Sequence, residues 1–187
     1  QQSFELEGAN SQLQINIINR QACIDVNLLG QADRALITEQ RLVNLSSALS
    51  ITSDWIVLVK DWLDSDQDLS SASSHEDEFY LGLEVPYRTG DTALVDATEL
   101  SLMPIDLAVL QRLIPYICWL PEASQINVNR LSKPLIEAYF PSLTEAGKSA
   151  LLARLASSGF ASVTEFLVWA ESFDLDASPQ DWRVDDR

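Results

Sequence analysis

Trp55-Ile56-Val57-Leu58-Val59-Lys60-Asp61-Trp62-Leu63-Asp64-Ser65-Asp66-Gln67-Asp68 is the stretch on which the reading of this chain turns. Trp55, Leu58 and Trp62, interleaved with Ile56, Val59 and Leu63, recur at helical spacing, and Thr52-Ser53-Asp54 ahead of them offers N-cap oxygens for a first turn. The helix then runs into acid. From Asp61 to Glu78 there are seven carboxylates, at Asp61, Asp64, Asp66, Asp68, Glu76, Asp77 and Glu78, and no Lys or Arg. Like charges at this density repel one another unless water, salt or a cation intervenes, and hard divalent ions such as calcium are held almost entirely by such oxygens. A calcium-stiffened, non-catalytic module is the first expectation; a solvated acidic loop with no ion is the plainer alternative, since most charge runs are that.

Upstream, Leu36, Leu42, Leu45 and Leu49 predict a preceding helix. Before it, Leu13, Ile15 and Ile17 alternate with polar residues, as do Ile24, Val26 and Leu28, which predicts a β-hairpin turning near Asn19-Arg20-Gln21, with Phe4 to Glu7 as a candidate third strand. Downstream, the Ser-rich segment from Ser70 to Ser74 reads as a loop, and Pro104, Pro115, Pro121, Pro134 and Pro141 allow only short helices. Pro134 follows Ser132 as a residue of a capped first turn. Leu143 to Leu155 and Val163 to Phe173 read as the last two helices, split by Ser157-Ser158-Gly159, and the tail after Asp174 has no period and is expected to be loose, with Trp182 exposed.

A formal charge of -16 with twelve basic residues against twenty-eight acidic ones removes the clustered Lys and Arg that phosphate backbones require, so no nucleic-acid partner is expected. The sole histidine, His75, reads as an exposed loop residue and excludes a multi-His zinc site. No nucleophile elbow, phosphate loop or dinucleotide fingerprint occurs. No window approaches eighteen apolar residues and the chain opens on Gln1, so no transmembrane or signal segment is expected within it. Cys23 and Cys118, 95 positions apart, are either one disulfide or two buried thiols. Asp64, Asp66 and Asp68 imitate the start of an EF-hand loop, but Leu69 replaces its turn glycine and His75 its closing glutamate, so an EF-hand is not expected.

Several motifs in order carry a resemblance: Ala22-Cys23-Ile24-Asp25-Val26-Asn27, Asp61-Trp62-Leu63-Asp64-Ser65-Asp66, Glu76-Asp77-Glu78-Phe79-Tyr80, Pro86-Tyr87-Arg88, Thr98-Glu99-Leu100, Pro115-Tyr116-Ile117-Cys118-Trp119-Leu120-Pro121, Ile126-Asn127-Val128-Asn129, Gly159-Phe160 and Thr164-Glu165-Phe166-Leu167. Over most of its length the chain resembles the minor pseudopilin K family of the bacterial type II secretion system, also called general secretion pathway protein K. The resemblance implies an α+β fold: a pilin-like β-sheet remnant with a large, mostly α-helical inserted domain of SAM-like, helix-hairpin-helix-like helices. Residues 1–30 would be the sheet part, 31–175 the helical domain with its acidic calcium loop, and 176–187 a loose tail.

The same resemblance implies a non-enzymatic periplasmic subunit at the pseudopilus tip, joined to minor pseudopilins I and J and meeting secreted cargo, its full-length form anchored in the inner membrane by an N-terminal helix that this sequence does not contain. It implies calcium ligands at Asp61, Asp64, Asp66, Glu76 and Asp91, and an oxidising compartment that favours a Cys23 to Cys118 bridge. Other classes remain in view: an acidic calcium-dependent adhesion or cargo-binding module, a helix-hairpin-helix nucleic-acid binder, for which Phe140 to Ala146 lacks the phosphate-binding glycines, and a carboxylate-based hydrolase.

Overall fold

A computed structural model describes residues 2–5, 12–15, 21–175 and 177–185. Strands β1 (Gln2–Glu5) and β2 (Gln12–Ile15) pair antiparallel, with Phe4 opposite Leu13. After them, β3 (Ile24–Asp25) enters a 3₁₀ turn over Val26–Gly30, followed by helices α1 (Ala35–Ala48), α2 (Trp55–Leu63) and α3 (Asp77–Leu81). A second 3₁₀ turn, Ala97–Ser101, and α4 (Leu107–Leu113) lead to β4 (Ile117–Cys118), which lies parallel to β3. Then β5 (Ile126–Asn127), a 3₁₀ turn over Val128–Arg130, α5 (Lys133–Tyr139), α6 (Glu145–Ser157) and α7 (Val163–Glu171) end at β6 (Trp182–Arg183), parallel to β5. The result is the expected mixed architecture, helices with small strand pairs. No helix among the described residues is long and apolar enough to cross a membrane.

The two halves are built by the same local device. Asp25 accepts a hydrogen bond from the backbone of Asn27, and Asn127 accepts one from that of Asn129, each ending a two-residue strand in a 3₁₀ turn. The next asparagine then bonds both polar groups of a distant residue. Asn27 takes Leu94 N–H at 2.8 Å and gives to Leu94 C=O at 3.0 Å; Asn129 does the same to Phe160 at 2.8 and 2.9 Å. Ile24-Asp25-Val26-Asn27 and Ile126-Asn127-Val128-Asn129 are thus one motif used twice.

This capture explains why the expected hairpin does not form. The Asp25 side chain turns the chain out of extended conformation after two residues, and Ile24 is engaged by β4, so β2 takes β1 as its partner. Among the hairpin residues, Asn16 to Arg20 lie outside the described residues. The covalent counterpart of the β3–β4 pair is a Cys23–Cys118 disulfide, with Cα atoms 5.8 Å apart.

The core is continuous from Ile24 to Trp182. On α1, Thr38, Leu42, Leu45 and Ser46 form the buried stripe, whereas α2 is apolar nearly all round and sits inside the protein, which is why Trp55 and Trp62 are both buried. The tail is not loose where it is described. Trp182 is 3% exposed, stacked on Phe140 with ring centroids 5.3 Å apart, and Asp181 accepts from Arg41 at 3.2 Å. A two-residue strand whose partner lies 56 positions upstream leaves no local period to read. Ser132 does precede α5, with Pro134 in its first turn, but its hydroxyl makes no capping bond; Thr144 and Ser162 do cap α6 and α7. Gly159 closes α6 with a φ of 65°, a left-handed conformation that glycine adopts without strain.

Candidate metal centre

Asp61 lies in the last turn of α2 and Asp64 immediately after its end, where extended backbone carries the chain away, so both carboxylates stay beside the helix terminus. Glu76, the residue before α3, comes in from the other side of the intervening loop. One oxygen from each of Asp61, Asp64 and Glu76 lies within 4.8 Å of the other two. No His or Cys belongs to that group.

These are not solvated surface acids. Asp61 is 0% exposed and Glu76 4%. Asp61 receives the backbone N–H of Ser70 at 3.3 Å on each carboxylate oxygen, which pins the loop across the site. Both carboxylate oxygens of Glu76, and Oδ1 of Asp64, are buried without a hydrogen-bond partner among the described residues. A buried, unpaired carboxylate is costly as an anion, and it either keeps a proton or meets a cation. Burial first, and then the charges of Asp61, Asp64, Asp66 and Asp91, push Glu76 up to about 7. Burial likewise raises Asp64, helped by Asp66, Asp61 and Asp91.

The five expected ligands therefore divide. Asp61, Asp64 and Glu76 converge. Asp66 is exposed and accepts from the backbone of Asp68 at 2.8 Å, and Asp91 accepts from Thr89 Oγ1 at 2.8 Å; they add negative field and do not join the three-atom group. Asp91 adopts a φ of 49° and donates its N–H to Trp62 C=O. Next to it, Gly90 packs so closely on the Trp62 indole that an added Cβ would come within 2.7 Å of Nε1.

Asp77, read from sequence only as part of the charge run, has a separate structural task. It accepts from Thr89 N and Oγ1 at 3.0 Å and pairs with Arg88, contacts that hold it below the ordinary carboxylate range and tie the 88–91 segment to α3. The Pro86-Tyr87-Arg88 motif was the available signal, since it places the local cation. His75 is half-buried and not the exposed loop residue expected: it stands just before α3, and its ring stacks on that of Phe79 within the helix, centroids 3.8 Å apart.

The set suits a hard dication, being all oxygen, mostly buried and without a counter-charge among the described residues. A pH test follows. Glu76 ordinarily titrates at 4.5 and in the ion-free fold at about 7, so the native state binds its proton more tightly. The resulting stabilisation is complete below the unfolded value and is lost as pH rises through the folded one. Asp64 acts in the same sense; Asp77 acts in the opposite sense, but only below its ordinary value of 3.8. In chelator, the melting temperature should therefore rise as pH falls from about 8 to about 5.5, and Glu76→Gln should flatten that rise. An unchanged profile in the variant would show that Glu76 is not the titrating group.

Comparison with known proteins places the chain within a family. The model "Type II secretion system (T2SS), protein K" matches at residues 22–122, and a second protein K model at 126–179, so the junction falls between the two strand-and-turn units. The type II secretion system protein K of Klebsiella pneumoniae is 34% identical over 177 residues, covering 84% of this chain and 53% of the relative. That of Pectobacterium carotovorum subsp. carotovorum is 32% identical over 165 residues, covering 85% of this chain and 50% of the relative. The chain thus spans about half the length of these curated relatives. The crystal structure of the GspK-GspI-GspJ complex from the enterotoxigenic Escherichia coli type 2 secretion system contains a chain that matches with a TM-score of 0.75 and 26% identity, over 98% of this chain and 69% of that one. The chain belongs to the type II secretion system protein K family.

Proposed function

We propose that this chain is the periplasmic, non-enzymatic part of a minor pseudopilin that stands at the tip of the pseudopilus with minor pseudopilins I and J and supports protein secretion. The observation that carries the reading is the likeness, over 98% of the chain, to a chain of the GspK-GspI-GspJ complex. The Cys23–Cys118 disulfide agrees with an oxidising compartment such as the periplasm.

In this role Asp61, Asp64 and Glu76 hold calcium, with Asp66 and Asp91 adding field. The ion would supply the counter-charge that Glu76 and Asp64 lack, and would fasten the 65–75 loop to the end of α2. The contribution is structural: it fixes the shape of a surface to which partners add. Calcium and the proton compete for Glu76, so apparent calcium affinity should weaken as pH falls below about 7.

The test is co-expression of the full-length protein with its cognate minor pseudopilins I and J, followed by affinity capture in calcium and in chelator. A three-protein complex recovered in calcium is expected. Its absence under calcium-replete conditions, with all three proteins folded, contradicts the assignment.

A further inference from the structure

Beside the metal centre lies a cavity of about 420 Å³ lined by Gln67, Leu69, Ser74, His75, Glu76, Glu78 and Phe79. Its chemistry is two-sided. Leu69 is 59% exposed and Phe79 37%, and the stacked His75 and Phe79 rings offer an aromatic wall. Glu78 is exposed and forms no ion pair among the described residues, and no Lys or Arg lines the cavity. Leu81 and Val85, further along the chain, are also exposed.

An apolar floor with an aromatic wall and an unanswered carboxylate at its rim fits one kind of side chain: a long aliphatic stem ending in a cation. Arginine meets all three demands, because its stem covers apolar surface, its guanidinium stacks on rings and it binds carboxylates in a fixed fork. The field favours the same occupant. The cavity lies in the segment that carries seven carboxylates and no Lys or Arg, within a chain of net charge -16.

We propose that this cavity docks an extended protein segment carrying arginine next to an apolar residue, and that calcium at Asp61, Asp64 and Glu76 governs the docking. The inference rests on the calcium reading given above. Glu76 belongs to both sites, and the loop from Gln67 to Ser74 that forms one wall is pinned through Ser70 to Asp61. An ion at the three carboxylates would therefore hold the wall in place and, by occupying Glu76, leave Glu78 as the carboxylate free for the incoming guanidinium. Without the ion, the loop has few apolar contacts to order it, and the cavity should lose its shape.

The probe is a terminally blocked, fluorescein-labelled hexapeptide alternating arginine and leucine, titrated by anisotropy, with an arginine–glycine peptide of equal charge as control. Saturable binding of the first peptide is expected in calcium, weakening about tenfold or more in chelator and in the Phe79→Ala and Glu78→Gln proteins, with the control peptide at least about tenfold weaker throughout. Calcium must still raise the melting temperature of both variants, which shows that they fold and keep the ion. Three results overturn the proposal while leaving calcium binding intact: no peptide binding, equal binding to wild type and variants, or equal binding of the control peptide, each alongside a preserved calcium shift. If calcium changes neither the melting temperature nor the peptide affinity, both readings fall together.

Discussion

Replacing both half-cystines, Cys23→Ala with Cys118→Ala, is expected to destabilise the protein by about 4 kcal/mol, a value set mainly by the length of the loop that the bond closes. The two residues are 95 positions apart, so the bridge removes a large share of the freedom of the unfolded chain, encompassing α1 to α4 and the acidic loop between α2 and α3. In the native state it fastens a strand pair only two residues long, too short to hold by its own hydrogen bonds. For a chain of this size the loss corresponds to a melting temperature lower by roughly 10 °C. Urea unfolding of the variant against wild type, with and without reductant, checks it: reductant should move the wild type towards the variant and leave the variant where it is. A difference below about 1 kcal/mol would mean that the β3–β4 junction is held by the core and not by the bond.

Trp182→Ala should cost a similar amount, about 3 to 5 kcal/mol, as expected for removing a large buried aromatic. Tyr139, Phe140 and Phe166 surround the indole with centroids at 5.3, 5.3 and 5.1 Å, so truncation opens a void that three rings, at the end of α5, just past it and on α7, cannot all move to fill. The loss should also release the tail, because β6 has only two ladder residues and the Asp181 contacts to Arg34 and Arg41 are weak, partly exposed ion pairs. Hydrogen exchange at Ile126, whose N–H bonds to Asp181 C=O, should accelerate sharply in the variant, while amides of α2 change little. Trp182→Phe, which retains a ring, should recover much of the stability.

Trp182 also marks the boundary of what local sequence reveals. Helices α1, α2, α6 and α7 were legible because their apolar residues recur at 3.6 positions, and the burial of Trp55 and Trp62 followed from the same pattern. Strands β1, β2 and β3 fall on segments that the alternation marked as extended, but their pairing, and the two-residue β4, β5 and β6, were not legible. Ile24 to Leu28 has an alternating pattern that real strands share, but a side-chain bond from Asp25 to the backbone of Asn27 overrides it, and that competition is invisible to periodicity. Trp182 sits among charged residues, and only the distant register of Ile126 with Trp182 explains its burial. The repeated Ile-x-Val-Asn unit was present in the sequence twice and was readable as a repeat; what it does, with each asparagine bracing a residue 67 or 31 positions away, required coordinates.

The candidate site was legible in part for the same reason. Charge density identified the segment, and the spacing of Asp61 and Asp64 at the end of an amphipathic helix placed two of the three converging acids on one terminus. Composition could not separate Glu76, which turns inward and has no hydrogen-bond partner among the described residues, from Asp77, its neighbour, which is consumed by Thr89 and Arg88. Nor could it exclude Asp66 and Asp91 from the converging group, because that depends on local contacts: Asp66 accepts the Asp68 N–H, and Asp91, at a left-handed φ, accepts from Thr89.

The measurement that bears most directly on the calcium-held scaffold is thermal unfolding of the wild type and of Glu76→Gln near neutral pH, in saturating calcium, in magnesium and in chelator. An ion that binds only the folded form stabilises by mass action, about 4 kcal/mol at a thousand times its dissociation constant, which is roughly 10 °C for a domain of this size. The wild type should show that rise in calcium and a much smaller one in magnesium, and the variant should lose most of it. Superimposable wild-type transitions in calcium and chelator, or a calcium shift that Glu76→Gln leaves untouched, would contradict the account.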